Sequence, residues 1–221
     1  MDTVNHQQLL NCMHETGLIP VFNHTDTDVA KKVLDACYEG GVRVFEFTNR
    51  GENALAVFGE LVTHAQQYGD LYLGIGTLFT KEDASHFLDE GAHFLVSPAL
   101  IPEIAHFANQ QDLLWVPGCG TVTEIYQALQ LGAKLIKVFP GNVLGTGFIK
   151  SVKAVYPKVL IMPTGGVKPT EENLSDWYSA GVHCVGMGSQ LFKKNVIDSG
   201  QFNDLTESVS NTLKTIKKLR P

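Results

Sequence analysis

Short runs of apolar residues, rich in β-branched and aromatic side chains, alternate along the chain with longer stretches of helical periodicity. Most runs are apolar on both faces, as expected of parallel strands that are covered by helices. The spacing between successive runs leaves room for a crossover helix after each strand. The eight predicted strands are 18–22, 42–47, 71–76, 93–97, 113–117, 134–139, 159–163 and 183–188.

The stretches between these runs predict helices with suitable capping residues at their ends. Thr25-Asp26 and the segment 80–83 are typical of helix N-termini, and glycines such as Gly91 and Gly132 lie where helix C-caps belong. Two further helices are predicted outside the repeat, one within residues 1–17 and one at 202–219. The clearest crossover helices are predicted at 26–38, 54–68, 81–90, 121–131 and 171–180.

Eight parallel strands with short crossovers can close into a (β/α)8 barrel or remain an open, doubly wound sheet. No Gly-x-Gly-x-x-Gly follows the first strand, so the mark of a dinucleotide-binding sheet is missing. We therefore predict an α/β fold, a (β/α)8 (TIM) barrel formed as a single domain by residues 1–221. The N-terminal helix, indicated by Val4, Leu9, Leu10 and Met13, precedes the barrel, and the C-terminal helix follows it.

Composition and charge exclude several classes of function. The 17 basic and 23 acidic residues give a net charge of −6, so there is no overall positive field to attract nucleic acid. No stretch approaches the roughly 18 consecutive apolar residues of a membrane span, and the N-terminus lacks the order of a signal peptide. The four cysteines form no Cys-x-x-Cys pair, and we interpret them as reduced thiols in a cytoplasmic protein.

The active site of a (β/α)8 barrel lies at the C-terminal ends of its strands, which directs attention to polar residues there. Lys137 lies in an apolar strand, where an unpaired ammonium group is costly. It is either a Schiff-base nucleophile or the cation of a structural ion pair with Glu46. Alternation places Glu46 on the same face of strand 2 as Val44 and Thr48, so its carboxylate is paired or functional. Arg50, just beyond, either holds a substrate carboxylate through two parallel hydrogen bonds or is solvated, as a loop arginine more often is.

Glycine-rich turns follow the last two predicted strands. Gly165 and Gly166 follow strand 7, and Gly188 and Ser189 follow strand 8. Backbone N–H groups in such turns can approach an anion closely, and many barrels bind phosphate at these two loops. We therefore predict a phosphate site there. The eight histidines form no metal-binding motif, so no metal and no cofactor are predicted.

Several motifs occur together in one order: Glu46 in strand 2, Gly-Ile-Gly-Thr77, Val-Ser-Pro98, Trp-Val-Pro-Gly118, Lys137-Val-Phe-Pro140 and Pro-Thr-Gly-Gly-Val167. Over 18–193 the sequence resembles the 2-keto-3-deoxy-6-phosphogluconate and 4-hydroxy-2-oxoglutarate aldolases. The resemblance implies a (β/α)8 barrel, usually a homotrimer, and a metal-independent class I aldolase. Such an enzyme cleaves a keto-sugar acid to pyruvate and an aldehyde, here glyceraldehyde 3-phosphate if the substrate is phosphorylated.

The resemblance also implies roles for individual residues. Lys137 matches the imine-forming lysine, and Glu46 matches the general acid and base. The implied ligands of the substrate carboxylate are Arg50, Thr77 and Pro98, and those of the phosphate are Gly165, Gly166, Gly188 and Ser189.

The sequence departs from the family's usual motifs at three places: Gly141, where alanine is common, and the segments 49–51 and 117–124. These positions flank the predicted pocket, so they bear on the distal half of the substrate more than on the chemistry. Two other functions fit the same residues. One is a phosphosugar isomerase or epimerase with Glu46 as its base, and the other is a non-catalytic phosphosugar-binding barrel.

Overall fold

The eight apolar runs form eight parallel strands in a (β/α)8 barrel. The computed structural model describes residues 5–220. The strands are hydrogen-bonded in the order β7-β6-β5-β4-β3-β2-β1-β8, and a bridge between Thr164 and Gly186 brings β7 and β8 together. The prediction of a (β/α)8 barrel is thereby confirmed, and the alternative of an open, doubly wound sheet is not. The strands are β1 Leu18–Phe22, β2 Val44–Thr48, β3 Tyr72–Gly76, β4 Phe94–Ser97, β5 Leu114–Cys119, β6 Leu135–Val138, β7 Leu160–Pro163 and β8 Val185–Met187.

Helices precede, connect and follow the strands. The predicted crossover helices are present, with ends that differ from the predictions by at most three residues. In α7, Gly145 has a positive φ of 69° and interrupts the helical conformation. Within the described residues the helices are α1 His6–Thr16, α2 Thr27–Glu39, α3 Ala54–Ala65, α4 Lys81–Asp89, α5 Pro102–Gln110, α6 Val122–Gln130, α7 Gly141–Val155, α8 Glu171–Ser179, α9 Lys194–Asp198 and α10 Phe202–Leu219.

Both additional helices pack on the barrel. In α1, Leu9, Leu10 and Met13 are buried in one cluster with residues of the barrel interior such as Val44. Helix α1 therefore closes the N-terminal opening of the barrel, at the end opposite the expected active site, while Val4 lies outside the described residues. Helix α10 packs against α2 and α8. No helix within residues 5–220 has both the length and the apolar character needed to cross a membrane.

Histidine burial at the closed end predicts a pH dependence of folding stability. Burial lowers the pKa of His183 from 6.5 to about 4, and its Nε2 donates to the Leu10 carbonyl (2.9 Å). Between these two pH values the unfolded chain binds a proton that the folded chain does not, so stability falls as the pH drops from 6.5 toward 4. We expect the free energy of unfolding in urea to be lower at pH 5 than at pH 7.

Two variants test whether His183 is the source of this dependence. The free energy of unfolding should fall less between pH 7 and pH 5 in His183→Gln than in the wild type. The exposed His106 provides the control, because His106→Gln should retain the full dependence. An unchanged dependence in His183→Gln would contradict the assignment.

Candidate active site

A buried lysine and a buried glutamate meet inside the C-terminal half of the barrel. Lys137 projects inward from β6 and Glu46 from β2, and the Lys137 Nζ lies 3.0 Å from Glu46 Oε1 and 3.4 Å from Oε2. Glu46 is fully buried and Lys137 is 5% exposed. The two residues therefore form a hydrogen-bonded ion pair shielded from solvent, in which a proton can pass from the ammonium group to the carboxylate.

The absence of a side chain at Gly76 makes room for the Glu46 carboxylate. Gly76 ends β3 and pairs with Thr48 of β2. A Cβ at residue 76 would overlap Glu46 Oε1 and lie only 2.7 Å from the Glu46 Cδ. The carboxyl group thus rests on the backbone of β3, and this packing holds it beside Lys137. Sequence analysis assigned Gly76 no role of its own.

Thr77 and Pro98 lie just beyond the ends of two neighbouring strands, β3 and β4. Thr77 has a positive φ of 63°, which is uncommon for a residue other than glycine and marks a constrained turn. After β4, Ser97 Oγ donates to the Ala99 carbonyl (2.7 Å) and accepts from Trp115 Nε1 (3.0 Å), which fixes the loop that carries Pro98. Neither Thr77 nor Pro98 is among the described residues that line the cavity in the next paragraph.

A cavity of about 360 Å³ opens at this end of the barrel. Thr48 and Phe139 line the cavity. Thr48 lies two residues after Glu46 in the chain, and Phe139 lies two residues after Lys137. The ion pair therefore lies one step deeper on the same two strands. The structure brings the predicted residues Arg50, Gly165, Gly166, Gly188 and Ser189 together in the wall of this cavity.

The two glycines after β7 need their backbone freedom. Gly165 and Gly166 have positive φ values of 93° and 76°, and a Cβ at Gly166 would lie 2.7 Å from the Cβ of Asn142. Asn142 belongs to α7, whose first residue, Gly141, donates its N–H to the Thr164 carbonyl (2.7 Å). The turn after β7 is therefore packed tightly on the start of α7. This contact was not predicted, because it joins two segments that are separate in the sequence.

Two buried hydroxyl groups of the cavity wall, those of Thr48 and Thr164, have no hydrogen-bond partner among the described residues. Both side chains are more than nine-tenths buried. Because buried polar groups are nearly always paired, these two hydroxyls are candidates for contact with a ligand.

Other reactive side chains near the site are less suited to chemistry. Burial raises the pKa of the Cys119 thiol, at the end of β5, to about 12, which makes it a poor nucleophile. His24 follows β1 and is engaged locally, with its Nδ1 accepting from the Asp26 N–H (3.0 Å). Among residues 5–220, no three His, Cys, Asp or Glu side chains lie close enough together to hold a metal ion.

Comparison with known proteins agrees with this geometry. The family model "KDPG and KHG aldolase" matches residues 9–208. A 2-dehydro-3-deoxy-phosphogluconate aldolase of Pseudoalteromonas atlantica is 29% identical over 194 residues, which are 86% of each chain. A 2-dehydro-3-deoxy-6-phosphogalactonate aldolase of Escherichia coli is 37% identical over 128 residues, which are 57% of this chain and 62% of the relative.

Solved structures give the same result. The KDPG aldolase of Legionella pneumophila, determined with pyruvate captured as a covalent carbinolamine, has a TM-score of 0.84 and 25% identity. The similarity covers 92% of this chain and 97% of that one. The fold, the length of the family match and the buried lysine lead to one conclusion: the chain belongs to the KDPG and KHG aldolase family of class I aldolases.

Proposed function

We propose that this enzyme cleaves a 2-keto-3-deoxy sugar acid to pyruvate and an aldehyde, with Lys137 as the imine-forming residue and Glu46 as the general acid and base. The observation that carries the assignment is the buried hydrogen bond of 3.0 Å between Lys137 Nζ and Glu46 Oε1, two residues before the cavity-lining Phe139 and Thr48. The covalent pyruvate adduct of the Legionella pneumophila aldolase supports the same chemistry.

The Lys137–Glu46 hydrogen bond suits imine formation because it lets the pair exchange a proton. Transfer from the ammonium group to the carboxylate produces a neutral amine, which attacks the C2 ketone. The protonated Glu46 then returns its proton to the departing hydroxyl group, which leaves as water. The product is a protonated imine on Lys137 with the Glu46 carboxylate beside it.

Cleavage uses the positive nitrogen of the imine as the acceptor of electrons. The Glu46 carboxylate takes the proton of the C4 hydroxyl group, C4 becomes an aldehyde carbon, and the electrons of the C3–C4 bond form an enamine. The aldehyde leaves. Protonation of the enamine at C3 and hydrolysis of the imine then release pyruvate and regenerate Lys137.

The two ends of the substrate have separate proposed binding groups. Arg50, with Thr77 and Pro98, binds the carboxylate of the keto acid, and a guanidinium is well shaped for such a planar anion. The phosphate is bound by the turns containing Gly165, Gly166, Gly188 and Ser189, four of the residues that line the cavity. Their donors are backbone N–H groups and the Ser189 hydroxyl. The aldehyde product of a six-carbon substrate is then glyceraldehyde 3-phosphate.

We further propose that the whole chain, 1–221, acts as one barrel domain within a homotrimer in the cytoplasm. Exposed apolar side chains follow β3, β5 and β6 at the end of the barrel that holds the cavity, among them Phe79 (59% exposed) and Val143 (73% exposed). Further copies of the chain would cover such a surface. Cys37, Cys119 and Cys184 are buried free thiols, which supports a reducing compartment.

The experiment that tests the function is incubation of the enzyme with pyruvate and borohydride, followed by intact-mass measurement and peptide mapping. We expect one reduced pyruvate adduct, on Lys137. Phosphorylated and unphosphorylated keto acids of the gluconate and galactonate series are then compared as substrates. A folded enzyme that binds phosphosugars but forms no adduct would instead be an isomerase, an epimerase or a binding protein.

A further inference from the structure

Thr48 places a buried hydroxyl group beside the catalytic pair. It shares the inward face of β2 with Glu46 and lies two residues nearer the mouth of the barrel, a distance of about 7 Å along a strand. The side chain is 2% exposed and lines the cavity. Within residues 5–220 no group accepts from or donates to its Oγ1.

The fold itself has no use for this hydroxyl. A buried hydroxyl group without a partner destabilises a protein, whereas valine fills the same volume without that cost and suits a strand equally well. Thr212 of α10 shows the usual arrangement of a buried threonine. It is 3% exposed, and its Oγ1 donates to the Ser208 carbonyl at 2.7 Å. The Thr48 hydroxyl lacks such a partner, and Thr48 lines the candidate cavity.

The position of Thr48 places it close to C4 of the substrate, given the proposed function, on which this inference rests. C2 of the substrate is bonded to Lys137, and the C4 oxygen must lie within reach of Glu46 for its proton to be removed. From there the substrate runs toward the cavity mouth and the glycine turns. Thr48 is the next inward residue of β2 on this path, and rotation about its Cα–Cβ bond turns the hydroxyl toward the substrate.

We propose that the Thr48 hydroxyl donates a hydrogen bond to the C4 oxygen of the substrate and stabilises the negative charge that develops there during cleavage. The C4 hydroxyl proton passes to Glu46, the C4–oxygen double bond forms, and the C3–C4 electron pair moves into the imine. Thr48 keeps its own proton throughout. Such a donor stabilises the transition state more than the bound substrate, so it accelerates the cleavage step.

The test compares Thr48→Val, which removes the hydroxyl at constant volume, with Thr48→Ser, which retains it. The substrate is whichever of 2-keto-3-deoxy-6-phosphogluconate and 2-keto-3-deoxy-6-phosphogalactonate the wild type cleaves faster. We expect kcat/KM for cleavage to fall about 10- to 100-fold in Thr48→Val and to stay within about threefold of wild type in Thr48→Ser. Thr212→Val, far from the cavity, should cleave at the wild-type rate.

Reactions of pyruvate distinguish the proposed role from a structural one. A structural defect would slow both cleavage and the reactions of pyruvate, whereas loss of a donor to the C4 oxygen would slow cleavage alone. Pyruvate has no C4 oxygen, so Thr48→Val should form the borohydride-trapped adduct and exchange the pyruvate methyl protons with deuterium as fast as wild type. Its melting temperature should equal or exceed that of wild type, whereas Thr212→Val should melt lower because it loses a paired hydroxyl.

The outcomes distinguish failure of this inference from failure of the proposed function. Wild-type cleavage by Thr48→Val would overturn this inference and leave the proposed function intact, as would equal losses of cleavage and pyruvate exchange. A Thr48→Val protein that melts well below wild type would show that the hydroxyl serves the fold, which also overturns it. A wild-type protein that forms no pyruvate adduct would overturn the proposed function and this inference together.

Discussion

Replacement of Lys137 by alanine is expected to lower aldol cleavage by about 10⁴-fold or more, because no described residue that lines the cavity carries another primary amine to form the imine. The measurement is kcat/KM for cleavage, together with the mass of the protein after treatment with pyruvate and borohydride. The variant should show neither turnover nor adduct.

Alanine also removes the counter-charge of a fully buried carboxylate. Breaking a buried ion pair in this way typically costs about 3–5 kcal/mol, so the folded state of Lys137→Ala must be verified by its circular dichroism and melting temperature. Lys137→Arg is the matched variant, because it retains a cation for Glu46 but forms no imine. We expect Lys137→Arg to be inactive as well. Wild-type activity in either folded variant would show that Lys137 serves only as the partner of Glu46.

The fold was predictable from the sequence because the apolar runs and the helix-capping residues both fit the alternation of strands and helices in a barrel. Apolar runs such as 42–47 and 134–139 can be buried on both faces only between helices, and capping residues mark where those helices begin and end. The strand ends differ from the predictions by at most two residues, since residues such as His93 and His183 precede the regular ladder. The kink in α7 at Gly145 was not predicted, because a glycine in the sequence does not show which backbone conformation it adopts.

The candidate site was predictable where a charged residue interrupts an apolar strand. Lys137 and Glu46 stand out for this reason, and the closure of the barrel explains why residues 91 positions apart meet. Packing between neighbouring segments was not predictable. The space for the Glu46 carboxylate depends on the register that sets Gly76 beside it, and the turn after β7 depends on its contact with Asn142.

The proposed role of Thr48 shows the same limit at the level of one hydroxyl group. Alternation along β2 placed its side chain on the face of Glu46, but a threonine in a strand needs no special explanation. The proposal rests on the lack of any partner among residues 5–220, which only the three-dimensional structure reveals. Functional side chains of this kind become visible through unsatisfied hydrogen bonding and not through residue type.

Substitution of Glu46 by glutamine is expected to lower kcat/KM for cleavage by about 10²- to 10⁴-fold, because the amide has the size of the carboxyl group but transfers no proton. Lys137 remains present, so pyruvate should still be trapped by borohydride, although more slowly. Exchange of the pyruvate methyl protons with deuterium should slow together with cleavage. This pattern differs from that of Thr48→Val, in which only the step involving the C4 oxygen should be affected.

Two further variants separate proton transfer from general effects of charge and packing. Asp35→Asn is the control, because Asp35 is a hydrogen-bonded carboxylate of α2, paired with His64 and Tyr68 away from the cavity, and its loss should leave cleavage unchanged. Gly76→Ala keeps the carboxylate but fills the space that it occupies, so cleavage should again fall by at least tenfold. Full activity in Glu46→Gln would assign the proton transfers to another group, and full activity in Gly76→Ala would show that Glu46 acts from a different position.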